Sequence, residues 1–343
     1  MDLDYTIRQI ITTREKEEYR DLLERVGLVY TEYAVQIGAY YGEELVGGIS
    51  LDKNCIKLLR VSCLHSGKGI SNGLVGEVTK IAYDKGILHI FVYTKPENEE
   101  KFTSQGFYKI FKTDNVLFLE NQRSGIKKYV NSLKSKKVEG KNIASIVMNL
   151  NPLTLGHEYL IKKACEENDV VHIFIVKEDL SVFPYEVRLK ILKEVAKRYE
   201  NLIVHEGSDY IISSATFPTY FIKSSDNIPE IYARLDVNIF GEYIVNTLGI
   251  NKRYIGTEPY SKTTNMYNKV IKEVLSTYDV NIIEVDRTDI DNEVVSASKV
   301  REFIKNDKIE NAYKLLPQET IDFLKSDEAK GIVEKIRVND SRH

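Results

Sequence analysis

Thr154, Gly156 and His157 lie within four residues of one another in the stretch IVMNLNPLTLGHEYLIKKA, residues 146–164. There an apolar run passes through a loop with one proline into a helix-like pattern. The combination suits an anion. Glycine lets backbone approach a ligand closely, and a helix start offers free N–H groups and the positive end of its dipole. The Thr154 hydroxyl adds a donor, and a ring N–H of His157 in the first turn aims at the same place. Such donors stabilise charge that builds on a phosphate as a leaving group departs. VVSASKVREF, residues 294–303, repeats the arrangement. Ser296 and Ser298 can cap the helix VREFIKN, and Arg301 projects from the same side of its first turn with a fork suited to phosphate. Each string also has a plainer reading: a helix-start histidine caps or packs, and most Ser-x-Ser strings before an arginine are ordinary helix caps.

The surrounding pattern is what gives these strings a common place. From residue 142, continuous apolar runs (IASIVMNL, VVHIFIV, LIVHEG, KRYIGTE, VNIIEV) alternate with helical stretches (HEYLIKKACEEN, PYEVRLKILKEVAKRY, TTNMYNKVIKEVLSTY). Runs of this kind belong to a parallel sheet covered on both faces, so residues 142–343 read as a doubly wound α/β domain. Several short helices follow, with a polar tail after about residue 327. In such sheets ligands bind beyond the carboxyl ends of the strands. NLNPLTLGH, GTEPYS (residues 256–261) and VVSASKVREF should converge there. Residues 1–120 read as a smaller α/β unit, with a polar helix (REKEEYRDLLERVG), strands in YAVQIGAYY, ELVGGISL, CIKLLRVSCL and HIFVYT, and a last strand in KFTSQGFYKI. Residues 121–141 read as a polar, basic linker with one short helix.

Bulk properties narrow the function. A length of 343 residues fits two domains. With 43% hydrophobic and 29% charged residues, the composition is that of a globular protein. A formal net charge of −3 gives no sign of a nucleic-acid binder. No run approaches a membrane span, and the acidic N-terminus is not a signal peptide. Cys55, Cys63 and Cys165 have neither disulfide nor zinc spacing, which predicts reduced thiols and a cytoplasmic location. His65, His89, His172 and His205 show no metal spacing, and no P-loop competes for phosphate.

T-L-G-H followed by S-A-S-K-V-R in one α/β domain resembles the nucleotidyltransferase superfamily, whose signatures are H-x-G-H and a later Ser-rich segment ending in Arg. Thr154 replaces the first His, and Ala297 the middle Ser. More narrowly, MNLNPLTLGHEYLI, ARLDVNIFGEYI, YIGTEPYSKTTNMYN and VSASKVREFI, in that order, resemble the citrate lyase ligase family over nearly the whole chain. The resemblance implies a nucleotidyltransferase-like, ATP-binding domain behind a GNAT-like acetyltransferase-type domain. It implies ATP and Mg²⁺ as cofactors, with acetate and the acyl-carrier subunit of citrate lyase, bearing a CoA-derived prosthetic group, as partners. Acetate would form acetyl adenylate, and the prosthetic thiol would take the acetyl group. His157 and Thr154 would act on the phosphates. Asn149, Leu150, Asn151, Pro152, Gly156, Arg188, Gly256, Glu258, Ser296, Ala297, Ser298 and Arg301 would bind ATP, with no protein metal site.

HSGKGIS, residues 65–71, resembles the pyrophosphate loop of GNAT acetyltransferases, so Gly67, Lys68 and Gly69 would hold a CoA-like group. Leu64 stands where that loop usually begins with Gln or Arg. Phe102 stands where many acetyltransferases place a proton-donating Tyr, which a phenyl ring cannot replace. Other readings stay open: an adenylyltransferase for a phosphopantetheine-like molecule, an N-acetyltransferase with a nucleotide-sensing domain, or a non-catalytic assembly factor.

Overall fold

Alternating and continuous apolar runs sort the chain into two kinds of sheet. The structure, a computed structural model, describes residues 5–177, 181–211, 221, 227–257, 262–286, 289–290 and 293–338. Described residues among 1–129 and 218–231 form one unit, and those among 130–217 and 232–343 the other.

The first unit is a seven-stranded sheet in the order β1-β2-β3-β4-β5-β7-β6. Its elements are β1 (Thr6–Gln9), α1 (Thr13–Glu24), β2 (Val35–Tyr41), β3 (Glu44–Asp52), β4 (Cys55–Val61), α2 (Ile70–Asp84), β5 (Phe91–Thr94), α3 (Glu99–Thr103), β6 (Tyr108–Lys112) and β7 (Leu117–Glu120). Two strands went unread in the sequence. β1 is short and mostly exposed, and β7 has only four residues, too few for a period to show. β7 is nonetheless fully buried between β5 and β6. β4 and β5 are the parallel pair, bridged at Cys55↔Phe91 and Ile56↔Val92. α2 lays Leu74, Val75 and Val78 into a core shared with Ile37, Ile49 and Leu119. The stretch expected as linker contains α4 (Gly125–Lys134).

The second unit is built on a five-stranded parallel sheet in the order β10-β9-β8-β11-β12. Along the chain run β8 (Ile143–Met148), α5 (Leu155–Glu167), β9 (Val170–Ile175), α6 (Tyr185–Ala196), β10 (Leu202–His205), α7 (Ile228–Ile239), a π-helical turn (Phe240–Val245), α8 (Asn246–Leu248), β11 (Lys252–Gly256), α9 (Lys262–Leu275) and β12 (Asn281–Val285). The small ladder β13 (Asp289–Ile290) and β14 (Glu293–Val294) follows, then α10 (Ala297–Lys305), α11 (Ile309–Tyr313), α12 (Gln318–Lys325) and α13 (Lys330–Val338). All six residues of β9 are buried, as its unbroken apolar run requires. The chain runs outward from β8 to β10 on one side and to β11 and β12 on the other. The topological switch point therefore lies between β8 and β11, beside NPLTLGH and Gly256. The expected polar tail is instead α13, whose Ile332 and Ile336 join the main core.

Candidate active site

The first turn of α5 is a capping box with an unusual partner. Thr154, extended at φ −121° and ψ 167°, is the N-cap, and the third helical residue is His157 rather than Glu or Gln. The Thr154 N–H donates to His157 Nδ1 at 3.1 Å, and the Thr154 hydroxyl lies 2.9 Å from the same nitrogen. A neutral imidazole nitrogen that accepts carries no proton, so the ring proton is placed on Nε2. Closing the helix end thus fixes which nitrogen of neutral His157 carries the proton. Thr154 is 1% exposed. From this buried position it holds the ring.

The loop before this helix is held from three directions. Arg188, 1% exposed, donates through Nη1 to the Asn149 carbonyl (2.5 Å), Asn149 Oδ1 (2.8 Å) and the Val176 carbonyl (3.0 Å), and through Nε to the Phe183 carbonyl (2.9 Å). The sequence placed Arg188 at the phosphates or in solvent. Its guanidinium instead fastens the loop after β8 to the ends of β9 and the segment before α6. Asn149 also donates to Ser181 Oγ at 3.0 Å, and Asn151 Oδ1 accepts from the Phe183 N–H at 3.0 Å. From the C-terminal helices, Thr320 donates to the Leu153 carbonyl at 3.0 Å, and the Leu155 N–H donates to the Leu315 carbonyl at 2.9 Å. No sequence signal pointed to Thr320 or Leu315.

Arg301 joins the third segment to the first. Its Nη1 donates to the Asn151 carbonyl, and its Nη2 lies 3.4 Å from Ser298 Oγ. Burial lowers its pKa from the usual guanidinium value, a cost that an anion at this point would offset. Ser296 is the N-cap of α10, accepting from the Lys299 N–H at 3.1 Å. Ser298 lies inside the helix and is exposed, so only one of the two serines caps. A Cβ on Gly156 would stand 3.3 Å from the Val295 carbonyl, so the missing side chain lets α5 pack against the residue leading into α10. Gly156 thereby acquires a packing role beside the anion role expected of it. Leu150 is 1% exposed in the core, and Pro152 is buried and follows a cis Asn151–Pro152 bond. Gly256 ends β11 in the open, and its carbonyl accepts from the buried Asn268 of α9 at 3.0 Å. Ala297 is the first residue of α10. Glu258 lies outside the described residues.

In the first unit, a cavity of ≈ 730 Å³ lies where β4 meets β5, its walls including Ile56, Arg60, Val92, Gly69, Lys101 and Phe102. Gly67 and Gly69 line it at φ +80° and +76°, where only glycine sits without strain, and the space beside each missing Cβ is open. Gly69 is the N-cap of α2. Phe102, 3% exposed, packs edge-on against Phe107 at 5.8 Å between centroids.

A family model described as the citrate lyase ligase C-terminal domain matches residues 143–324. The citrate (pro-3S)-lyase ligase of Escherichia coli K12 is 36% identical over 304 residues, 87% of this chain and 86% of that protein. Its counterpart in Haemophilus influenzae is 36% identical over 299 residues, 85% of this chain and 89% of the relative. The chain belongs to the citrate lyase ligase family. Among solved structures, Thermotoga maritima TmcAL bound with alpha-thio ATP is similar at TM-score 0.40 and 11% identity, covering 56% of this chain and 57% of that one. FeeM, an N-acyl amino acid synthase, is similar at TM-score 0.29 and 14% identity over 34% of this chain and 89% of that one.

Two features of this family member escaped the sequence reading. His172 and His205, on neighbouring strands, form a buried pair with Nδ1 of the first 2.9 Å from Nε2 of the second. Their partnership depends on the β9–β10 register, which a linear sequence does not show. Arg253, 5% exposed, lies over the Phe240 ring at 4.7 Å, and burial lowers its pKa to about 10. Among the described residues no group of three or more His, Cys, Asp or Glu converges to hold a metal, and no helix is long and apolar enough to cross a membrane.

Proposed function

We propose that this chain is an AMP-forming acid–thiol ligase that activates citrate lyase by acetylating the prosthetic-group thiol of its acyl-carrier subunit. Acetate oxygen attacks the α-phosphorus of ATP, the bond to the β-phosphate oxygen breaks, and pyrophosphate leaves. The thiolate then attacks the acetyl carbonyl carbon of the adenylate, and AMP leaves. The supporting observation is the capping box that fixes the proton of His157 on Nε2 beside the β8–β11 switch point, together with the names carried by relatives across most of the chain. His157 Nε2–H would meet charge building on the phosphates. Arg301 and the N-terminus of α10, capped by Ser296, would hold the outer phosphates. Asn149, Asn151 and Gly256 would border the nucleotide through groups already fixed in place. Catalysis is then positioning plus electrostatics. Mg²⁺ would come with ATP, its oxygens supplied by phosphates and water. The loop at Gly67, Lys68 and Gly69 would hold the CoA-like group of the carrier, and the reaction would run in the cytoplasm.

The test is product analysis with ATP, acetate and deacetylated citrate lyase. AMP and pyrophosphate should appear in step with recovered lyase activity, only when acetate is present. ADP as product, or nucleotide turnover indifferent to acetate, contradicts the proposal, and the second result would favour an adenylyltransferase.

A further inference from the structure

Two cations share the first unit's cavity without a partner among the described residues. Arg60, at the end of β4, and Lys101, on α3, both line it. Neither side chain has an ion pair or hydrogen bond to another described residue, and Arg60 Nε is fully buried and unsatisfied. Burial, and after it the charge of Arg60, lowers the pKa of Lys101. Lys95 adds a third cation to the lining, against the single carboxylate of Glu97. An unpaired, partly desolvated guanidinium beside an ammonium costs stability unless something negative joins them. The same site offers Phe102, Ile56 and Val92 as an apolar wall, which is the composition of a small-molecule pocket with a few placed polar groups.

We propose that Arg60 and Lys101 bind an oxyanion inside this cavity, whose lining they share with Gly67 and Gly69. The group is a phosphate carried on the thiol-bearing arm or a free carboxylate. Both chemistries suit the same forked and point donors. The inference rests on the cation pair and the cavity, and it stands whether or not the loop holds a CoA-like group.

The experiment is calorimetric titration of the full chain with three probes: 4′-phosphopantetheine, uncharged pantetheine and sodium acetate. Wild type is compared with Arg60→Gln, Lys101→Gln and the conservative Arg60→Lys. Removing one charged donor should weaken the anion by about tenfold or more. Loss confined to phosphopantetheine, with pantetheine unchanged and Arg60→Lys largely restored, supports the proposal and names the phosphate as the source. Loss confined to acetate supports it and names the carboxylate. If neither pantetheine compound binds wild type while acetate does so through Arg60 and Lys101, the CoA-like reading of the loop fails and the pair stands. Equal affinities for both anions in wild type and the Gln variants overturn the proposal, as does equal loss of pantetheine. Should a Gln variant fail to fold, wild type alone decides: added NaCl must weaken the favoured anion and leave pantetheine unaffected, and an absence of salt dependence overturns the proposal.

Discussion

At the scale of single residues, His157 has two roles that mutation can separate. Its Nδ1 closes the helix cap, which leaves the ring proton on Nε2. His157→Gln keeps a natural capping-box partner, so its unfolding free energy should stay close to wild type, whereas His157→Ala loses about 1 kcal/mol. Both should lose the adenylation rate together, roughly 10²–10³-fold, as when an oxyanion donor is removed. Denaturant melts and initial rates on the two variants check this. If the rate tracks stability, with Gln active and Ala inactive, the ring serves only as a cap. Arg188 carries the complementary prediction. Arg188→Lys leaves several buried carbonyls unmet, so stability should fall by about 2–4 kcal/mol. The KM for ATP should rise as the Asn149 loop loosens, and a thermal melt alongside a KM measurement tests both. The sequence placed His157 and Arg301 at helix starts, because helix-start signals are local, and the structure ties Arg301 to Asn151 in the loop before His157. The sequence did not show that Arg188 and Leu150 are buried, because burial depends on what other elements pack above them.

At the scale of elements, the β9–β10 pair makes folding acid-sensitive. Burial lowers the pKa of His172 to about 4 and that of His205 to about 3, with the charges of His172 and Lys136 adding to the second shift. Both values lie below the unfolded value of about 6.5. The unfolded chain therefore binds more protons as pH falls through 6.5, and stability is lost between there and the folded values, being fully present above. Urea unfolding at pH 5 should show roughly 2–4 kcal/mol less stability from this pair than at pH 7.5. His205→Phe, whose ring can keep the stack on Phe174 at 4.4 Å, should remove a measurable share of that dependence. An unchanged pH slope in that variant refutes the assignment. The alternation of apolar runs revealed every strand of the parallel sheet, because strands buried on both faces are apolar throughout. It missed β7, four residues long, and α13, whose two core-facing isoleucines are spaced among charged neighbours.

At the scale of the whole molecule, the proposal divides the labour between adenylation in the second unit and holding the carrier's arm in the first. Gly67→Ala places a side chain at φ +80°, which costs about 1–2 kcal/mol of backbone strain. It should raise the KM for the carrier in the overall reaction more than it slows acetate-dependent adenylation. Equal effects on both would contradict the division. The order of motifs along the chain carried the expectation of a shared site: T-L-G-H leads from β8 into α5, while S-A-S-K-V-R follows β14, outside the parallel sheet, and opens α10. The Arg60–Lys101 pair was not legible, because β4 and α3 meet only in the fold. The most direct test of the central claim is exchange of labelled pyrophosphate into ATP, with and without acetate, on wild type and His157→Ala. The account predicts exchange that requires acetate and falls by orders of magnitude in the variant, while ATP binding falls far less. Exchange that proceeds without acetate, or survives the loss of His157, would contradict it.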